Sequence, residues 1–273
     1  MGNRRLGRKR LESVLKQLTQ MTANSDDDRA GQASGPMPPW RNHRSKYFGF
    51  ADDFLFSPAS LVDNADAALT DDVGDAAGGN IWRTNVDGTS DTITLDNGQT
   101  GGVMKILHGS SDNEETHMTA LNHGFRLDNA TSPREVWFNC RIKTSDISGT
   151  GFYIGLGSAA GAEETDGNDI EDGVGFYIVD GDASAALKLL TSVGDSETST
   201  DLDTTVADDT WLTLSWHFDG TNVNAYVNGT KKASTASDLP TDDTIIFPAI
   251  HVAAREGAAN TISVDYIEAC MER

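Results

Sequence analysis

The segment Trp211–Phe218, Trp-Leu-Thr-Leu-Ser-Trp-His-Phe, constrains this chain more than any other stretch. Leu212, Leu214, Trp216 and Phe218 alternate with Thr213, Ser215 and His217. A period of two belongs to a strand with one dry face and one wet face. Asp219-Gly220 follows as a hairpin signal, and Val223, Ala225 and Val227 then alternate into a second turn signal, Asn228-Gly229. The same period runs through Arg134–Lys143, where Val136, Phe138, Cys140 and Ile142 share one face and Trp137, Asn139, Arg141 and Lys143 the other. Further strands are predicted near 48–56, 102–108, 117–127, 151–157, 173–180, 185–192, 245–253 and 260–268. Many short strands with Gly, Asp, Asn and Ser at their turns predict an all-β fold, a two-sheet antiparallel jelly-roll sandwich over residues 47–273. Residues 57–101 are acidic and rich in Gly and Ala around a buried-looking Trp82, and read as a long excursion from the sandwich.

The first 46 residues break this pattern. Residues 1–18 hold six basic groups (Arg4, Arg5, Arg8, Lys9, Arg10, Lys16) against the single acid Glu12, in a chain whose net charge is −21. From residue 51 onward, 11 basic residues face 38 acidic ones, a net of −27. Leu11, Val14, Leu15 and Leu18 recur at helical spacing, so residues 1–22 read as a basic arm with a short amphipathic helix. Such a helix is too short to be stable alone and needs a partner surface. Residues 23–46 read as an extended linker with the proline group Pro36, Pro38 and Pro39, followed by Trp40. An apolar stripe combined with charge fits a protein groove better than phosphate alone, and the arm has no aromatic for base stacking. Arg4, Arg5, Arg8, Lys9, Arg10, Leu11, Val14, Leu15, Leu18 and Trp40 are therefore the candidate docking residues.

Composition excludes several function classes. The acidic body lacks the Lys and Arg that phosphate contacts require, so nucleic acid is not an expected partner. No apolar run approaches the ~18 residues that span a membrane, and no apolar segment follows the basic start as in an export signal. Cys140 and Cys270 make no disulfide framework, and reduced thiols in an intracellular assembly site are expected. His108, His117 and His123 form the closest histidine group but lack zinc-ligand spacing. No phosphate loop, dinucleotide fingerprint or nucleophile elbow is present, so no cofactor is expected. The one weak metal candidate is calcium on the loop residues Asp166, Asn168, Asp169 and Glu171, with a second acidic stretch of the same ambiguous kind at Asp195, Glu197, Asp201 and Asp203.

The hairpin Trp211–Gly229 resembles the late-strand hairpin of concanavalin A-like and laminin-G-like jelly rolls. Laminarinase-type glucanases share that fold and place Glu-x-Asp-x-x-Glu on one strand. The nearest match here, Glu164-Thr-Asp166-Gly-Asn-Asp169, ends in Asp and lacks strand alternation. No enzymatic activity is therefore expected. The runs Gly151–Gly157, Asp172–Gly181, Val264–Ile267 and Glu272-Arg273 are similar to virion structural proteins of tailed bacteriophages. The opening Asn3–Leu11 resembles the start of structural proteins in marine phages. The resemblance implies a capsid decoration or cement protein in the virion, assembled in the host cytoplasm, homo-oligomeric and bound to the major capsid protein. Two alternatives stand beside it. One is a carbohydrate-binding adhesion module for a host-surface glycan, with Tyr153, Tyr177 or Tyr226 exposed on a concave sheet; the other is an internal head protein that meets packaged DNA.

Overall fold

The computed structural model describes residues 46–54, 82–86, 91–96, 102–108, 115–128, 133–158, 170–179, 185–254 and 259–273. Arg4, Arg5, Arg8, Lys9, Arg10, Leu11, Val14, Leu15, Leu18 and Trp40 lie outside the described residues, as do Asp166, Asn168 and Asp169. Fifteen strands are found among the described residues: β1 (Tyr47–Asp52), β2 (Arg83–Val86), β3 (Thr92–Leu95), β4 (Met104–His108), β5 (Glu115–Thr119), β6 (Val136–Thr144), β7 (Thr150–Gly157), β8 (Gly173–Ile178), β9 (Ala186–Val193), β10 (Ser196–Thr205), β11 (Leu212–Phe218), β12 (Val223–Val227), β13 (Thr230–Thr235), β14 (Phe247–Ala254) and β15 (Asn260–Glu272). They form two antiparallel sheets. One runs β13-β12-β11-β6-β15-β4-β3 with β1 also on β15, and the other runs β10-β9-β8-β7-β14-β5-β2. This is the expected all-β jelly-roll sandwich.

The core is made by the alternation read from the sequence. Val136, Phe138, Cys140 and Ile142 of β6 pair with Phe218, Trp216, Leu214 and Leu212 of β11 across the register, and all of them are buried. Phe138 and Trp216 stack at 5.8 Å. From the opposing sheet come Phe152, Ile154, Phe176, Ile178, Leu187, Leu189, Ile250 and Val252. Each such side chain contributes roughly 1.5–3 kcal/mol by burial. The only described helical turn is the 3-10 segment Ile147–Gly149, which agrees with the absence of helical periodicity in the body.

Several boundaries differ from the sequence reading. The Gly/Ala-rich stretch 57–101 contains β2 and β3, so these parts belong to the sheets rather than to an excursion. Trp82 is buried as expected: its indole N–H donates to Asp52 Oδ2 at 2.7 Å, and its ring meets Phe50 edge-on at 5.6 Å. The acidic stretch containing Glu197 and Asp201 is strand β10, joined to β9 by the turn Gly194-Asp195, both with positive φ. A two-residue turn of this kind matches the twist of a hairpin. Asn228-Gly229 forms the second such turn, leading into β13. Asp219-Gly220 instead opens a four-residue loop, because the Asp219 carboxylate accepts from the backbone of Thr221 (3.1 Å) and Asn222 (2.8 Å). Cys140 and Cys270 are both buried thiols. Cys140 packs in the core, while Cys270 lies out of phase with the core residues Ile267 and Ala269 of β15.

Candidate functional site

The seven-stranded sheet has two chemically different faces. Met118, Phe152, Ile154, Phe176, Ile178, Leu187, Leu189, Ile250 and Val252 project into the core. Their neighbours along each strand therefore project outward. Register places the outward residues in one row across five strands. His117 of β5 pairs with His251 of β14, His251 with Tyr153 of β7, Tyr153 with Tyr177 of β8, and Tyr177 with Lys188 of β9. Side chains directly opposite on adjacent strands lie about 4.5–5.5 Å apart at Cβ, so each touches the next.

The tyrosines of this row do not offer open ring faces. Tyr153 is 0% exposed and lies flat across the backbone of Gly173 and Gly175, where a Cβ on Gly175 would come 2.5 Å from the ring. Its hydroxyl donates to the Leu156 carbonyl at 2.9 Å. Tyr177 is 3% exposed, its hydroxyl donates to Ser199 Oγ at 2.6 Å, and the Lys188 ammonium sits 5.9 Å from its ring centre. Tyr226 is on β12 of the other sheet. The expectation of exposed aromatics on one concave sheet is corrected. The glycines let Tyr153 collapse onto its own sheet, and Tyr226 lies elsewhere.

Glu115, His117 and His251 form the reactive part of the face. Glu115 and His117 alternate onto the same side of β5, and the His251 ring stacks on His117 at 3.8 Å with 19° between planes. His117 Nε2 is 2.9 Å from Glu115 Oε2, and His251 Nε2 is 3.5 Å from the same oxygen. All three residues are buried, with 6, 7 and 2% exposure for Glu115, His117 and His251. Burial alone would raise the Glu115 carboxyl, but hydrogen bonds to His117 and His251 and their nearby charge outweigh it and hold the pKa at about 2. Burial and the adjacent His117 push His251 down to about 4, against the opposing pull of Glu115. At neutral pH the cluster therefore holds an ionised carboxylate and a neutral His251. Glu115 Oε1, His117 Nδ1 and His251 Nδ1 have no hydrogen-bond partner, and His251 Nε2 has only its long contact to Glu115 Oε2. One potential ligand atom from each of the three residues falls within a 4.8 Å group.

The histidine group read from the sequence is redistributed. His108 is on β4 of the other sheet, and His123 follows β5 with its ring 5.0 Å from Phe50. Only His117 belongs to the cluster. The alternating Glu115-x-His117 pair and the histidine inside the 245–253 strand were the available signals. Nothing local in the sequence joins them, because sheet register makes the contact. Of the calcium candidates, Glu171 is exposed, and its carbonyl accepts from Ser192 Oγ (2.9 Å) and Asp195 N (3.1 Å). The glucanase-like positions Glu164, Asp166 and Asp169 lie outside the described residues.

No protein-family model matches the sequence, and no curated protein matches it. Solved structures do share the fold. A protein of unknown function from Shewanella oneidensis MR-1 is similar with a TM-score of 0.51 at 16% identity, over 87% of this chain and 95% of that one. A glycoside hydrolase family 16 endo-glucanase from Bacteroides ovatus, in complex with G4G3G-2F-DNP, reaches 0.51 at 10% identity, over 80% and 98%. Peanut lectin reaches 0.51 at 10% identity, over 83% and 97%. These likenesses establish the concanavalin A-like jelly-roll sandwich and lend nothing to the virion resemblance. They also correct the expectation that the chain lacks enzymatic activity, since the frame it adopts is one that a glycoside hydrolase uses.

Proposed function

We propose that this chain is a saccharide-recognition module whose ligand face is the outer face of the seven-stranded sheet. The observation that carries the reading is the outward row His117–His251–Tyr153–Tyr177–Lys188, with unpartnered polar atoms at its histidine end. Sugar hydroxyls both donate and accept, so they answer a mixture of carboxylate and imidazole. Because Tyr153 and Tyr177 are closed, recognition runs through hydrogen bonds rather than ring stacking. The lectin and the endo-glucanase of the same fold support this class of ligand by analogy. A glycan array probed with the full chain tests it. Binding by the native protein, lost in His251→Leu and weakened in Lys188→Ala but kept in Tyr226→Ala, is the expected result. An array without signal, or binding that Tyr226→Ala alone removes, contradicts it.

A second reading concerns attachment and is favoured by the charge split. In it, residues 1–22 dock the module to an acidic surface of a larger assembly; the virion resemblance supplies the major capsid protein as that partner. The described residues begin at Lys46, whose carbonyl accepts from the Arg273 N–H at 2.9 Å. Deleting residues 1–22 should then leave a folded body that no longer co-sediments with such particles. Unchanged co-sedimentation counts against the arm.

A further inference from the structure

We infer that Glu115, His117 and His251 bind one divalent transition-metal ion of the zinc class, bridging β5 and β14. Two imidazoles and one carboxylate are the donor set that zinc, copper and non-haem iron accept. The geometry fits. Ligand atoms about 2.0–2.2 Å from a common tetrahedral ion are separated from one another by roughly 3.3–3.6 Å. The His251 Nε2-to-Oε2 separation of 3.5 Å falls in that range, the His117 Nε2-to-Oε2 hydrogen bond of 2.9 Å would lengthen to reach it, and both imidazoles present Nε2 to the same carboxylate oxygen. Register pairs His117 directly with His251, and from their near-parallel stack at 3.8 Å the two rings would tilt apart to turn both in-plane Nε2 lone pairs toward one ion.

The polar accounting points the same way. His251 Nε2 has only the long 3.5 Å contact to Glu115 Oε2, and Glu115 Oε1 is buried without a hydrogen-bond partner, although buried polar groups are ordinarily satisfied. A cation among the three side chains takes a lone pair from the first and lies beside the second. The next register row carries small residues, since those opposite Glu115 are Ala253 on β14 and then Gly151 on β7. Three protein ligands leave a coordination position open, so the ion would hold a water or a ligand hydroxyl at the face proposed to meet saccharide. Metal uptake does not rest on that proposal. It is measured without sugar, so either idea can fail while the other stands.

The test uses the full chain, stripped with chelator, exchanged into metal-free buffer and titrated calorimetrically with Zn2+. One equivalent should bind, with a rise in melting temperature that returning chelator reverses. Glu115→Gln should weaken binding at least about tenfold, and His117→Asn/His251→Asn should abolish it, given that even outer-shell changes cost 10–100-fold. Native protein loaded with one equivalent of Cu2+ should show two coordinated imidazole nitrogens by electron paramagnetic resonance. That readout needs no variant, so it stands even if the double variant does not fold. Absence of stoichiometric uptake by the folded native chain overturns the inference. So does uptake unchanged in a folded double variant, or a copper spectrum without two nitrogen ligands.

Discussion

Among the described residues each sheet has on its outer face an imidazole–carboxylate pair with a His Nε2 to Glu Oε2 distance of 2.9 Å. On the eight-stranded sheet, His217 meets Glu135, with side chains 17 and 43% exposed, and stacks on Trp137 at 4.9 Å. On the seven-stranded sheet, His117 meets Glu115 with both side chains under 10% exposed, and stacks on a second imidazole instead of an indole. Surroundings therefore decide what one contact does. The His217 pair is a solvated surface feature, on a face that four residues further along β6 also carries Arg141–Asp265 (2.8 Å) with the Trp211 ring under Arg141 (4.6 Å). The His117 pair is a desolvated cluster whose unused donors and acceptors call for a ligand.

Matched substitutions break or sharpen this comparison. His117→Leu strips the buried Glu115 carboxylate of its 2.9 Å partner and should cost about 3 kcal/mol in urea unfolding. A cost below that of His217→Leu would erase the distinction between the sheets. The next effect depends on pH, in chelator-treated protein. His251 has a reference pKa of 6.5 and a folded value of about 4, so its contribution is complete above 6.5 and disappears as pH falls toward 4. Glu115, with 4.5 and about 2, loses its contribution between those values. Urea midpoints of His251→Leu should accordingly be flatter than those of the native chain between pH 6.5 and 4.5.

A steric test follows. Gly175→Ala places a methyl group against the Tyr153 ring and should cost about 2 kcal/mol. Gly194→Ala, with open space around it but a φ of +54°, should cost about 1 kcal/mol through backbone strain. An equal cost at both glycines would mean that Tyr153 is not pinned to its floor. The smallest effect belongs to His217→Leu, under about 1 kcal/mol, because solvent screens a half-exposed Glu135.

The fold was legible where alternation was strong. β6, β11 and β12 follow from residues 134–143 and 211–227, since burial of every second side chain leaves a visible period. β10 and β13 were not legible. Ser196–Thr205 and Thr230–Thr235 are largely polar, and tertiary pairing with β9 and β12 holds them in place rather than an apolar face. The site was legible only in fragments. His117 was seen beside the wrong histidines because proximity in sequence says little about proximity across a sheet. Tyr153 and Tyr177 do share one face, but the glycine floor that closes them shows only once the register is known.

The central claim is that the outer face of the seven-stranded sheet is the working surface. Amide chemical-shift mapping of the full chain, titrated with an oligosaccharide selected from the array, tests it most directly. The account predicts shifts concentrated on β5, β14, β7, β8 and β9, centred on His117 and His251. Shifts confined to β6, β11 and β12 around Trp137 and His217 would contradict it, as would a titration without shifts.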